Sequence, residues 1–80
     1  MPQHTFTAVV QDKPGVLVRA ATLFSRRGYN IESLAVAPTG RPGRSRMTIV
    51  AHVEERAIGQ LSQQLAKLVN VVEVLEPAPR

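Results

Sequence analysis

The chain is predicted to fold as one α+β domain, with elements in the order strand, helix, strand, strand, helix, strand. Its four strands form one antiparallel sheet and both helices lie on one face. Three observations carry this expectation: two segments repeat apolar residues at helical spacing, four segments read as extended, and turn residues fall between them.

Thr5 to Gln11 (TFTAVVQ) mixes β-branched and aromatic residues and then runs into Asp12, Lys13, Pro14 and Gly15, which makes it a strand with a stop. From Pro14, apolar residues recur at Val16, Leu17, Ala20, Ala21, Leu23 and Phe24, the spacing of one helical face. Proline suits the first helical position and Gly28 stands just past the end. Ile31 to Ala37 returns to extended character. Pro38 to Gly43 (PTGRPG), with two prolines and two glycines, is a loop. Ser45 to Val53 alternates Met47, Ile49, Ala51 and Val53 against Arg46, Thr48, Val50 and His52, the period of a strand with one more apolar face. Glu54 and Glu55 then precede Ile58, Leu61, Leu65 and Leu68. The acids sit where a helix N-terminus favours negative charge, and the leucines mark a second helical face. Val71 to Leu75 is a short final strand, ended by Pro77 and Pro79.

Two βαβ units in series, each with a right-handed crossover, give the ferredoxin-like βαββαβ arrangement. The second face of such a sheet is uncovered. With residues such as Val9 and Val50 on it, that face is an expected association surface, and a dimer is the expected state. A chain of 80 residues buries only about 60% of its unfolded surface, so association adds needed stability. The expected organisation is a single domain over 1–80, with an ordered core of about 4–76 and a proline-containing tail at 77–80.

Composition narrows the function. Hydrophobic residues make up 44% and charged residues 20%, which is ordinary for a folding domain. The absence of cysteine rules out disulfides, thiolate metal sites and thiol catalysis, and His4 and His52 are far apart in sequence. No apolar run approaches the roughly 18 residues of a membrane span, and the N-terminus has no leader pattern, so a cytoplasmic location is expected. A net charge of +4 and a pI near 10.8 invite a nucleic-acid reading. However, the arginines scatter through Arg19, Arg26, Arg27, Arg41, Arg44, Arg46, Arg56 and Arg80, as on a solvated surface, with one concentration from Arg41 to Arg46.

The turn Asp12-Lys13-Pro14-Gly15 is the first candidate site. Free backbone N–H groups at a helix start, with the helix dipole, favour a carboxylate, and glycine permits close approach. A ligand carboxylate fits the amides of Gly15, Val16 and Leu17, and Asp12 suits an ammonium. The same residues also suit a plain tight turn, with Asp12 as an Asx-turn or capping residue. Spacing alone leaves both readings open.

The stretch Leu23 to Thr39 (LFSRRGYNIESLAVAPT), with Ser45 to Val50 (SRMTIV), is more specific. It resembles the small regulatory subunits of acetohydroxyacid synthase, also called acetolactate synthase. Their N-terminal ACT domain carries LFS-x-RGYNIESL-x-V-x-PT and SRMTI in this order, and the likeness continues through QLxKLVNVxxV. This resemblance implies a non-catalytic subunit that forms homodimers and binds a branched-chain amino acid, usually valine, with leucine and isoleucine as alternatives. It implies no cofactor in this subunit and a catalytic large subunit holding thiamine diphosphate, magnesium and FAD. By motif position the effector contacts are Asp12, Gly15, Val16 and Leu17 from one domain, and Asn30 and Ile31 from its neighbour. Asn30 offers an amide to the ligand's charged groups or closes the turn after Gly28; Ile31 offers apolar contact or is simple core. Family members often carry asparagine where this chain has Asp12, and many continue into a further C-terminal domain. A short-form subunit or a truncated chain is therefore expected.

Arg26 and Arg27 complement the dipole at the end of the first helix. Arg41, Arg44 and Arg46 suit an acidic surface of the catalytic subunit. An acylphosphatase-like enzyme would need an arginine in a glycine-bracketed loop after the first strand, where Asp12 instead repels phosphate. Nucleic-acid stacking needs aromatic residues on the sheet face, and the chain has only Phe6, Phe24 and Tyr29, with Phe24 on a helix and Tyr29 in a turn. The remaining alternative is an ACT domain serving a different metabolic enzyme, against which the length of the motif stands.

Overall fold

A computed structural model describes residues 2–76. The sequence supplies strands where β-branched residues alternate and helices where apolar residues recur every three or four positions. The elements are β1 (Gln3–Gln11), α1 (Val16–Arg26), β2 (Ile31–Pro38), β3 (Arg44–His52), a 3-10 turn (Glu55–Ala57), α2 (Ile58–Ala66) and β4 (Val71–Glu76). The strands form one antiparallel sheet in the order β2-β3-β1-β4, so each helix carries the chain past one intervening strand, as the ferredoxin-like arrangement requires.

Alternation decides which face meets the helices. Phe6, Ala8 and Val10 of β1 and Ser45, Met47, Ile49 and Ala51 of β3 are buried, and they are cross-strand partners: Phe6 with Ile49, Ala8 with Met47, Val10 with Ser45. Val16, Ala20 and Phe24 of α1 and Leu61 and Leu65 of α2 close over them. The Phe6 and Phe24 rings meet edge to face, with centroids 5.1 Å apart and planes at 76°. On the other face Thr5 pairs with Val50, Thr7 with Thr48 and Val9 with Arg46, so the expected association surface is built mainly of small and hydroxyl-bearing residues around an arginine.

Two boundaries differ from expectation. Helix α1 begins at Val16, because Gly15 lies in the left-handed region (φ 87°, ψ −8°) and so stands outside the helix; Pro14 precedes it. The acids ahead of the second helix lead into a 3-10 turn. There Glu54 is extended and accepts a hydrogen bond from Arg56 Nε at 2.5 Å, which raises the already high pKa of that exposed guanidinium. The end of α1 follows its sequence signal: Gly28 adopts φ 79°, its N–H donates to the Ser25 carbonyl at 3.0 Å, and Tyr29 N–H donates to the Phe24 carbonyl at 3.1 Å, a Schellman motif. The predicted tail at 77–80 lies outside the described residues.

Phe24→Ala removes one of the two rings at the centre of this core. Its expected cost is about 3–5 kcal/mol, a large share of the roughly 4–12 kcal/mol that a chain this size has in total. Urea unfolding followed by circular dichroism checks it, and the variant should show a sharply lowered midpoint.

Candidate functional site

The turn between β1 and α1 sits where the central strand ends, so its geometry is set by the sheet. Asp12 N–H donates to the Gly43 carbonyl at 2.9 Å and Gln11 N–H to the Asn70 carbonyl at 2.8 Å, which fastens the turn to the β2–β3 loop on one side and to the α2–β4 corner on the other. The Asp12 carboxylate accepts a hydrogen bond from Ser45 Oγ. It does not cap α1: no side chain makes a cap hydrogen bond at that helix start, and no acid lies in its first turn. The first helical bond runs from Arg19 N–H to the Gly15 carbonyl at 2.9 Å. The positive end of the α1 dipole therefore carries no side-chain counterweight.

In front of this turn lies a cleft of about 370 Å3, lined by Val10, Asp12, Gly15, Val16, Leu17 and Val36 among others. Donor groups and a carboxylate thus stand beside apolar walls. Such a chemistry suits a small zwitterion with an aliphatic side chain, and the size falls within the range of about 300–1,000 Å3 for small-molecule pockets.

Asn30 and Ile31 lie elsewhere. The Asn30 carbonyl accepts from His52 N–H at 3.1 Å and Ile31 pairs with Ala51, whereas Asp12 lies beside Ser45. Seven residue steps along β3 separate those two ends, roughly 23 Å of strand. One chain thus does not bring its two predicted half-sites together. Asn30 itself does not adopt the left-handed conformation that Gly28 has, and Ile31 is only partly buried against the core. The three loop arginines divide: Arg41 and Arg44 line a groove at the β2–β3 loop with Asp12 and Ser45, while Arg46 lies on the uncovered sheet face with Thr7 and Thr48. Phe6 and Phe24 are wholly buried and Tyr29 packs against the core, so none of the three aromatics forms a stacking platform. Among the described residues no group of three His, Cys, Asp or Glu side chains is placed to hold a metal ion, and no helix is long and apolar enough to cross a membrane.

The model of the AHAS small subunit-like ACT domain matches residues 6–73. The chain belongs to that family. It is 53% identical over 75 residues to the acetolactate synthase small subunit of Mycolicibacterium smegmatis, covering 94% of this chain and 44% of that protein. It is 49% identical over 77 residues to the probable acetolactate synthase small subunit of Methanothermobacter thermautotrophicus, covering 94% and 46%. The crystal structure of the acetolactate synthase small subunit from Thermotoga maritima superimposes with a TM-score of 0.82 at 40% identity, over 99% of this chain and 50% of that one. The chain thus spans about half the length, or slightly less, of these relatives. The ACT domain of GTP pyrophosphokinase from Chlorobium tepidum, at 19% identity and a TM-score of 0.71 over 91% of this chain and 94% of that one, shares the fold.

Two residues of this ACT domain escaped the sequence reading. Arg19, taken as one of the scattered solvated arginines, donates from Nη2 to Asn70 Oδ1 at 2.7 Å. Asn70, read only as part of a family motif, donates from Nδ2 to Gln11 Oε1 at 2.9 Å. The available signal was helical spacing, which sets Arg19 four residues after Gly15 and three after buried Val16.

Gly15 and Gly40 both have positive φ, at 87° and 90°, but a Cβ on Gly15 would lie 3.1 Å from Arg19 Nη1, whereas one on Gly40 would meet nothing within 4 Å. Gly40→Ala should cost about 1–2 kcal/mol from backbone strain alone. Gly15→Ala should cost measurably more, because the guanidinium must also move. Paired thermal unfolding of the two variants checks the difference.

Proposed function

We propose that this ACT domain senses a branched-chain amino acid, valine first, at a site shared by two copies, and thereby tunes the catalytic large subunit of acetolactate synthase. The observation that carries this reading is the uncapped start of α1 opening onto an apolar-walled cleft beside Asp12. The amides of Gly15 and Leu17, joined by Val16 N–H once it leaves its long 3.5 Å bond to the Lys13 carbonyl, take the effector's carboxylate, Asp12 its ammonium, and Val16, Leu17 and Val36 its side chain. Asp12 remains suited to this with one carboxylate oxygen engaged by Ser45, since the group has further lone pairs to offer.

The second half-site comes from a partner copy. Strand β2 is an edge strand with an exposed run from Ala35 to Pro38. Two such edges related by a two-fold axis near Leu34 would place the partner's Asn30 opposite Pro38, next to Val36 and the cleft. A homodimer of this kind joins what one chain keeps roughly 23 Å apart. The reading assigns no catalysis and no cofactor to this chain. In this reading thiamine diphosphate, magnesium and FAD belong to the large subunit, and Arg41, Arg44 and Arg46 suit an acidic surface of that partner in the cytoplasm.

Calorimetric titration should show valine, leucine or isoleucine binding with a Kd between about 1 μM and 1 mM, and silence for all three would remove the reading. Asp12→Ala removes the carboxylate assigned to the effector's ammonium, so binding should weaken about tenfold or more while circular dichroism confirms the fold. Sedimentation should find a dimer, with or without effector. Reconstitution with the large subunit then reads the sign of regulation from synthase activity.

A further inference from the structure

We propose that Asn70 and Arg19 form a clamp that positions the effector turn from behind and so sets effector affinity, without themselves touching the ligand. This rests on the effector reading above. Residues Gly15 to Val18 line the cleft, and Arg19 is absent from its lining. Its guanidinium lies behind the turn instead, with Nη1 where a Cβ on Gly15 would meet it at 3.1 Å. Nη2 donates to Asn70 Oδ1 at 2.7 Å, and Nε is buried without a hydrogen-bond partner, so the head group depends on Asn70 for its orientation.

Asn70 holds the other side of the turn as well. Its Nδ2 donates to Gln11 Oε1 at 2.9 Å and its carbonyl accepts Gln11 N–H at 2.8 Å. One residue thus grips the chain at position 11, immediately before Asp12, and at position 19, one helical turn after Gly15. Everything assigned to the effector's carboxylate and ammonium lies between those two grips. Asn70 pays for this place in backbone conformation: at φ 73° it is the one non-glycine residue with positive φ among the described residues. Asparagine tolerates that conformation, and its side chain supplies a donor and an acceptor together.

The physical consequence concerns order. A turn built on left-handed Gly15 has conformational freedom that must be lost when its amides converge on a carboxylate, and a clamp already holding it removes that loss from binding. The clamp also keeps a guanidinium charge behind the helix start, adding to the positive dipole end that faces the ligand. The corner between α2 and β4 is thereby tied to the ligand turn, so a change at either is felt at the other.

The test uses Asn70→Gly, Asn70→Asp and Arg19→Met in the full chain. Glycine accepts φ 73° without strain, which offsets part of the loss of two side-chain hydrogen bonds, so Asn70→Gly should stay folded while weakening valine binding about tenfold, the scale set by ordering one or two residues on binding. Arg19→Met should weaken it similarly, and the double variant Asn70→Gly with Arg19→Met should be no worse than either, because both remove one unit. Asn70→Asp keeps the acceptor for Arg19 and should lose less affinity. Without ligand, amide hydrogen exchange at Gly15 to Arg19 should quicken in Asn70→Gly. Unchanged exchange there overturns the clamp, as does unchanged affinity in both single variants. Should the unaltered chain bind none of the three amino acids, the effector reading falls and the affinity claim falls with it; the exchange comparison then decides the clamp by itself.

Discussion

The pairing of β1 with β3 is the constraint on which the rest of this domain depends. Their nine-residue register sets Phe6 against Ile49, Ala8 against Met47 and Val10 against Ser45, and this row is the floor on which both helices pack. Shifting it by one residue would bury Thr7, Val9, Arg46 and Thr48 and turn Phe6 and Met47 to the open face. The same register brings Asp12 to Ser45 and Gly43 at one end of the sheet, while the neighbouring β2–β3 ladder brings His52 to Asn30 at the other. The place of the turn in the fold therefore follows from core packing, and the hydrogen bonds to Asn70 fasten it there.

The start of α1 shows how an unsatisfied structural element becomes chemistry. Most helices meet their exposed N–H groups with a capping serine, threonine or aspartate. Here a left-handed glycine occupies that position, Asp12 turns instead to Ser45, and the first helical turn contains no acid. The result is a helix start without a side-chain cap, bordered by valines, a leucine and Asp12, with an arginine beside it held by Asn70.

Much of this was legible in the sequence. The alternation of Met47, Ile49 and Ala51, the recurrence of Val16, Ala20 and Phe24, and the glycine at 28 correctly marked strand, helix and helix end, because periodicity and φ preference are local properties. The start of α1 was misjudged by two residues because proline before glycine fits both a first helical turn and the turn preceding one. The role of Asp12 stayed open between turn, cap and ligand, since the deciding partner, Ser45, lies thirty-three positions away.

The sequence by itself determined the order of elements, the buried faces and, through the run from Leu23 to Thr39, the family. Those depend on spacing along the chain and on residue types at fixed offsets. The tertiary structure is what sets Asn30 and Ile31 at the opposite end of the sheet from the Asp12 turn of the same chain, in keeping with half-sites expected from two copies. It alone, too, turned Arg19 from a surface charge into the partner of Asn70, fifty-one positions away. The physical reason is that a hydrogen bond between distant residues is made by the sheet that brings them together, and no local pattern of amino acids records where that sheet will set them down.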